Sequence, residues 1–308
     1  MRVIQQTHEL KSEGRRVCAA IGVFDGVHLG HQQVIRRTLV DAHQFGAISV
    51  VVTFDRHPSA VVAPERLPPM LYTNGQKLRT LEQLGLDVAL LIPFDEAFSR
   101  LNGEQFIRQL ITDFAGLRSL SVGSAFAFGY QRSGNVALLQ KLGVELGFQV
   151  HGLAAVALDG ETVSSTRIRQ AILGGRLEEA NQMLGRSWSL AGKVISGDKL
   201  GRTLGFPTAN LDVTGLVLPP TGVYAVHAIA DGVPRRAVLN LGFRPTVAFG
   251  SPSLRVEVHI LDFDGDLYGQ EIEVFFIGKL REEQRFLSVE ALKSQIHRDL
   301  EAAVHLFS

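Results

Sequence analysis

Two histidines, His28 and His31, stand in the run Gly22-Val-Phe24-Asp25-Gly-Val-His28-Leu-Gly30-His31, after which a helical pattern begins. Gly30 permits close backbone approach, and imidazoles at the positive end of a helix can donate to phosphate oxygens, so the run is suited to a nucleoside triphosphate. There they would stabilise charge that builds up as another phosphate attacks the α-phosphorus, with no covalent intermediate. By itself an HxxH pair reads more readily as incidental polar residues at a helix start. Farther on, Ser164, Ser165 and Thr166 offer cap hydroxyls and backbone N–H groups, and Arg167 and Arg169 offer forked donors for phosphate. Most Ser/Thr caps are purely structural.

A third group runs from Gly192 and Lys193 through Gly197, Gly201, Arg202 and Gly205 to Phe206-Pro207-Thr208-Ala-Asn210. Glycine-rich turns expose N–H groups that wrap anionic oxygens, and the Thr208 hydroxyl with the Asn210 amide oxygen makes a hard-oxygen pair suited to Mg²⁺. No G-x-x-x-x-G-K-[ST] occurs, so this is not a P-loop. Glycines in a β-rich segment also mark ordinary bulges and turns. In a strand, Arg255, Glu257 and His259 share one face and Val256 and Val258 the other, which implies a polar site or a solvent face.

Elements must place these groups. From Arg16 to about Ile172 short β-branched runs alternate with helical patterns, the form of a parallel sheet covered by helices. Strands are expected at Val17 to Ile21, Ile48 to Phe54, Val88 to Ile92, Leu120 to Val122 and Gln149 to Val156, with helices near His31 to Gln44, Gln76 to Leu84, Gly103 to Leu110 and Ala137 to Leu146. Ligands in such sheets sit at the carboxyl ends of the strands, which selects Gly22 to His31, Asp55 to Pro58 and Gly123 to Gly134. Pro58 to Pro69 holds four of the eleven prolines and no helical period, so a long loop over the site is expected. After Met183 the pattern turns to short strands broken by Gly, Pro and Asp, an antiparallel barrel, and Ser288 to Leu306 sets Val289, Leu292, Ile296, Leu300 and Val304 on one helical face. Domains of residues 1–183 and 187–308 are therefore expected.

The 308 residues suit two units, and the 31 basic against 31 acidic side chains leave no global field to draw in nucleic acid or an anionic membrane. One Trp and four Tyr are also few for a nucleic-acid-binding barrel. Cys18 is the only cysteine, so no internal disulfide forms and a reducing, cytoplasmic compartment is expected; no apolar run approaches the ~18 residues that span a bilayer. A monomer or weak homo-oligomer is expected.

The run Phe24-Asp-Gly-Val-His28-Leu-Gly-His31 resembles the HxGH signature of nucleotidylyltransferases, in the version found in bacterial bifunctional riboflavin kinase/FAD synthetases. Thr53-Phe-Asp-Arg-His57-Pro58 is similar to that family's second motif, with Arg56 in place of an expected proline, and Val163 to Arg169 matches a third. Gly192 to Asn210 resembles the flavokinase motif, followed in family order by Gly222-Val-Tyr224-Ala, Asn240-Leu-Gly-Phe-Arg244-Pro245-Thr246 and Glu257-Val-His259. The resemblance implies a Rossmann-like α/β FMN adenylyltransferase domain followed by an antiparallel flavokinase barrel with a terminal helix. It implies ATP, riboflavin and FMN as ligands, FAD as product and Mg²⁺ as cofactor, Glu257 as the base of the kinase step, and His28, His31 and Arg167 as catalytic groups of the adenylyl step.

One motif departs from the family. Gly123-Ser-Ala125-Phe-Ala127-Phe128-Gly129 sits where Gly-x-Asp-Phe-Arg-Phe-Gly is usual, so a carboxylate and a cation are missing while Phe128, Gly129 and Gly134 remain. Ala125 and Ala127 are the support for a rival reading, a flavin-binding regulator without catalysis. A nucleotidylyltransferase acting on another phosphate ester, its barrel regulatory, is a second rival. Asp262-Phe-Asp264-Gly-Asp266 mimics a calcium loop but has Leu267 where that loop needs glycine, so a charged hairpin turn is expected.

Overall fold

A computed structural model describes residues 1–11, 14–114, 116–197, 200–244 and 253–307. The chain divides into two compact units, one of Met1–Ile168 with Met183–Gly185, the other of Arg169–Gln182 with the chain from Arg186 onward.

The first unit is built on a parallel six-stranded sheet. Its strands are β1 (Arg2–Ile4), β2 (Val17–Ile21), β3 (Ile48–Phe54), β4 (Val88–Ile92), β5 (Leu117–Gly123) and β6 (Gln149–Leu153), in the spatial order β1-β4-β3-β2-β5-β6. Alternate side chains feed two cores. Val17, Ala19, Ile21, Val50, Val52 and Leu90 pack under helices α3 (Gly103–Asp113) and α4 (Val136–Leu146), while Ala20, Val51 and Ala89 pack with Val34, Ile35 and Leu81 of α1 (Leu29–Phe45) and α2 (Asn74–Gln83). Burial on both faces is why β2, β3 and β4 read as nearly continuous apolar runs, with Ser49 and Thr53 the polar residues of β3. Strand order reverses between β2 and β5, and a crevice at their carboxyl ends is the ligand position of such sheets.

Three expectations are corrected. Strand β1 was not expected: three residues with one buried side chain carry no alternation to read. Strand β5 is longer than Leu120 to Val122, and β6 stops at Leu153. The stretch after Pro58 is not an irregular loop, since Ser59–Val62 forms a helical turn and Pro64–Arg66 a 3₁₀ turn.

After α5 (Ser165–Leu173) and α6 (Leu177–Leu184), whose residues divide between the two units, the second unit forms a closed antiparallel barrel. It comprises β7 (Ser189–Ile195), β8 (Ala209–Asp212), β9 (Gly222–Ala230), β10 (Val233–Arg244), β11 (Ser253–Ile260) and β12 (Glu271–Arg281), with α7 (Leu200–Leu204) before β8 and α8 (Val289–Leu306) at the end. Trp188 stacks on Phe276 at 5.2 Å, and Tyr224 meets the same ring edge-on. Helix α8 is held by Arg281, whose guanidinium donates to both oxygens of Asp299 at 2.8 Å, and Gln295 donates to Asp299 as well. Its expected apolar face is narrower than its sequence period: Val289 and Val304 are exposed, and Asp299 and Ala303 are its buried residues.

Candidate functional site

In the first unit, Phe24 and Val27 have left-handed backbones (φ 53° and 41°) on either side of Gly26, which turns the chain sharply out of β2. Asp25 is buried and both its oxygens accept from the Leu71 amide, so it anchors the loop from behind. Phe24 is buried too, and its ring meets His31 edge-on at 5.2 Å. His28 caps α1 by accepting the His31 amide on Nδ1 at 3.4 Å, which puts its ring proton on Nε2. The two imidazoles stack at 3.6 Å. Gly30 lies beneath the His28 ring, and the Gly22 amide donates to Val52 O.

The other expected groups divide. His57 accepts the Ser59 amide on Nδ1, which again leaves the proton on Nε2. Ser164 accepts the Arg167 amide, and Ser165 donates to the carbonyl of Asp25, tying the start of α5 to the histidine loop; Thr166 is exposed. The Arg167 guanidinium donates to the carbonyls of Leu158 and Glu161 and pairs with the Glu161 carboxylate at 3.3 Å. Arg169 is buried. Arg56 folds back on Asp55 at 3.0 Å, holding that carboxyl below its usual range against the effect of its partial burial. Gly123 ends β5, Ala125 is exposed and Ala127 is half-buried.

Sequence reading missed an aromatic row. Phe54, Phe94, Phe98, Phe106 and Phe128 follow one another at centroid distances of 5.3 to 6.1 Å, and Phe126 stacks on Phe128 at 5.1 Å. Each is one apolar residue in its own segment, and only the topology assembles them. Lys77 was missed for a similar reason: a lysine in an amphipathic helix reads as solvated, yet it is buried against the end of β3.

In the second unit, the alternation of β11 is resolved. Val256, Val258 and Ile260 fill the barrel, and Arg255, Glu257 and His259 face outward into a cavity of about 460 Å³ beneath α8. Phe206, Thr208, Asn210, Asn240 and Gly201 line it too, with Leu292, Ile296 and Leu300 from the helix. A second cavity of about 390 Å³ is lined by Gly197, Arg202, Pro207, Thr208 and Asn210, and by Phe263 to Tyr268 of the expected hairpin turn. Thr208 and Asn210 thus border both cavities. In the ladders Asn210 and Asn240 are each the direct partner of Glu257, from opposite sides.

Two glycines of the string are explained by close approach. A Cβ on Gly197 would lie 2.3 Å from the Asn210 amide nitrogen, and one on Gly201 would lie 2.4 Å from Phe206 O and 3.2 Å from the Thr208 hydroxyl. Gly192 lies against Asp212 O, and Gly205 turns the chain with φ 92°. Lys193 is exposed on β7. Tyr224 borders neither cavity; its hydroxyl donates to Pro220 O, and burial pushes its pKa up to about 12. Arg244 closes β10, and Pro245 and Thr246 lie outside the described residues.

A Rossmann-like sheet whose first crossover starts on an HxGH loop, together with a six-stranded barrel carrying a Pro-Thr-Ala-Asn segment across from a glutamate, defines a nucleotide-using enzyme of two parts. Comparison with known proteins carries this to the family. The FAD synthetase family model matches residues 10–167 and the riboflavin kinase family model residues 184–307. A bifunctional riboflavin kinase/FMN adenylyltransferase of Pseudomonas fluorescens is 41% identical over 98% of this chain and 97% of its own. That of Escherichia coli K12 is 38% identical over 97% and 96%. A crystal structure described as a macrolide-efflux protein from Streptococcus pneumoniae superposes with a TM-score of 0.81 at 29% identity, covering 98% of this chain and 97% of that one. Among the described residues no helix is long and apolar enough to cross a membrane. The chain belongs to the bifunctional riboflavin kinase/FMN adenylyltransferase family: it is an enzyme of flavin cofactor synthesis that takes ATP as substrate and gives FMN and FAD as products.

Proposed function

We propose that the second unit phosphorylates riboflavin at the Thr208–Asn210 segment and that the first adenylylates the resulting FMN at the histidine loop. The observation that carries this is the shared wall. One cavity is largely apolar and suits an isoalloxazine ring, the other is rimmed by glycines and Arg202 and suits a nucleotide, and Thr208, Asn210 and Glu257 stand where a ribityl hydroxyl would meet a γ-phosphate. Glu257 takes the hydroxyl proton, and the remainder of the catalysis is positioning and charge neutralisation.

The donor set also fits Mg²⁺. A threonine hydroxyl and an asparagine amide oxygen are hard ligands that leave positions for phosphate oxygens and water. Thr208 and Asn210 would hold the ion, which would supply charge neutralisation at the phosphates.

At the first site His28 and His31 donate to the α-phosphate, His57 donates through Nε2, and backbone amides at the start of α5 receive phosphate oxygens. Phe126 and Phe128 form a stacked face suited to the flavin. Arg167, which donates to Leu158 O in the Ala157–Thr162 hairpin, stands at the start of α5 as a further donor for the triphosphate. ATP use and the lone buried Cys18 fit a cytoplasmic enzyme.

Product analysis tests the whole reading. Purified protein given riboflavin, ATP and Mg²⁺ should yield FMN and then FAD by chromatography. FMN without FAD would remove the adenylyl assignment and favour a regulatory first unit, for which Ala125 and Ala127 speak.

A further inference from the structure

Lys77 stands on α2 with its side chain buried and its ammonium at the carboxyl end of β3. Nζ donates to Phe54 O at 2.8 Å and lies 3.4 Å from the Thr53 hydroxyl. That hydroxyl in turn donates to Val23 O, in the loop that leads to His28 and His31. One cation therefore sits where β3, its following Asp55-Arg56-His57 segment and the histidine loop converge.

We propose that Lys77 is a positioning residue for adenylyl transfer, holding these two loops in register and offsetting the carboxylates behind them. The proposal rests on the reading of the first unit as the FMN adenylyltransferase site. The charges acting on Lys77 are Asp25, from the histidine loop, and Asp55, from the segment after β3 and itself paired with Arg56. The titratable rings nearby in sequence to these are His28, His31 and His57. With the ammonium in place the two carboxylates are balanced. Without it they leave negative potential behind loops that must receive a triphosphate and a second phosphate.

Burial lowers the Lys77 pKa to about 8, against the pull of Asp25 and Asp55, so the charge is lost within an accessible range. In the full-length enzyme, kcat/KM for FAD formation from FMN should fall on an alkaline limb near that value, and riboflavin phosphorylation measured in the same preparation should not share it. Lys77→Arg, charged throughout, should abolish this limb. Lys77→Met should lower kcat/KM for FAD formation about ten- to a hundredfold at pH 7, the loss of a charge-assisted hydrogen bond, and spare the kinase.

A limb that persists unchanged in Lys77→Arg, or Lys77→Met making FAD as the unsubstituted enzyme does, overturns the proposal. If Lys77→Met does not fold, as loss of kinase activity together with FAD formation would reveal, the profiles of the unsubstituted enzyme and Lys77→Arg decide alone. No FAD from the unsubstituted enzyme would instead overturn the site reading beneath it.

Discussion

At the scale of single residues the two chemistries depend on different groups, and substitutions should separate them. His31→Ala removes a donor from the adenylyl loop, and a donor that meets developing charge is worth about 2.7–4 kcal/mol, or about a hundred- to a thousandfold in rate. FAD formation should fall by that factor while FMN formation persists. Glu257→Gln, which removes the proposed base from the β11 face, should do the converse. Steady-state rates of both steps on one preparation check this, and equal losses in a folded variant would sink the two-site assignment.

Lys77 adds a dependence of opposite sign for stability and activity. Its folded pKa of about 8 lies below the value of 10.5 for an exposed lysine, so between the two the unfolded chain keeps a proton the folded chain has shed. Stability relative to Lys77→Met should therefore rise by about 3 kcal/mol as the pH is raised from 8 to 10.5, and that gain is gone once the pH has fallen back to 8. Denaturant titrations of both proteins at several pH values measure it. An activity that falls where stability rises is not lost through unfolding.

At the scale of elements, the pairing of Arg281 with Asp299 holds the roof of the larger cavity. The side chains are 20% and 7% exposed, so removing one partner strands a largely buried charge, at a cost of about 3–5 kcal/mol. Asp299→Ala should lower the melting temperature and weaken riboflavin phosphorylation, with a smaller effect on FAD formed from supplied FMN. A variant that melts and phosphorylates as the parent does would show that α8 is held by its apolar contacts alone. How much sequence reveals differs by element for related reasons. The strands β2, β3 and β4 were legible because burial on both faces makes them nearly all apolar. Helix α8 was legible as a helix, but its period could not distinguish Leu292, Ile296 and Leu300, which line a cavity, from core residues. Motif residues such as His28 and Glu257 could be singled out because the proposed chemistry restricts their type, and the structure sets His28 at the start of α1 and Glu257 on a cavity wall. The phenylalanine row and Lys77 were not, because their surroundings come from segments distant in the chain.

At the scale of the whole molecule, the chain passes from one unit to the other more than once, and this bears on how the activities can be parted. Residues Arg169–Gln182 belong with the barrel unit, while Met183–Gly185 belong with the sheet unit. The Asn181 side chain accepts the Trp188 amide at 2.6 Å, and Trp188 is the fully buried ring stacked on Phe276. Gly175 lies against Pro220, close to the carbonyl that Tyr224 engages. A fragment of residues 187–308 carries both barrel cavities and should phosphorylate riboflavin, but it loses the Asn181 contact beside Trp188. A fragment of residues 169–308 keeps it and should be more stable by about 1–2 kcal/mol, the worth of one buried hydrogen bond with its accompanying packing. Urea midpoints of the two fragments, read with their kinase rates, decide the matter. Equal midpoints would show that the α5–α6 segment contributes nothing to the barrel, and a folded longer fragment without kinase activity would show that the kinase site is not complete within its own unit.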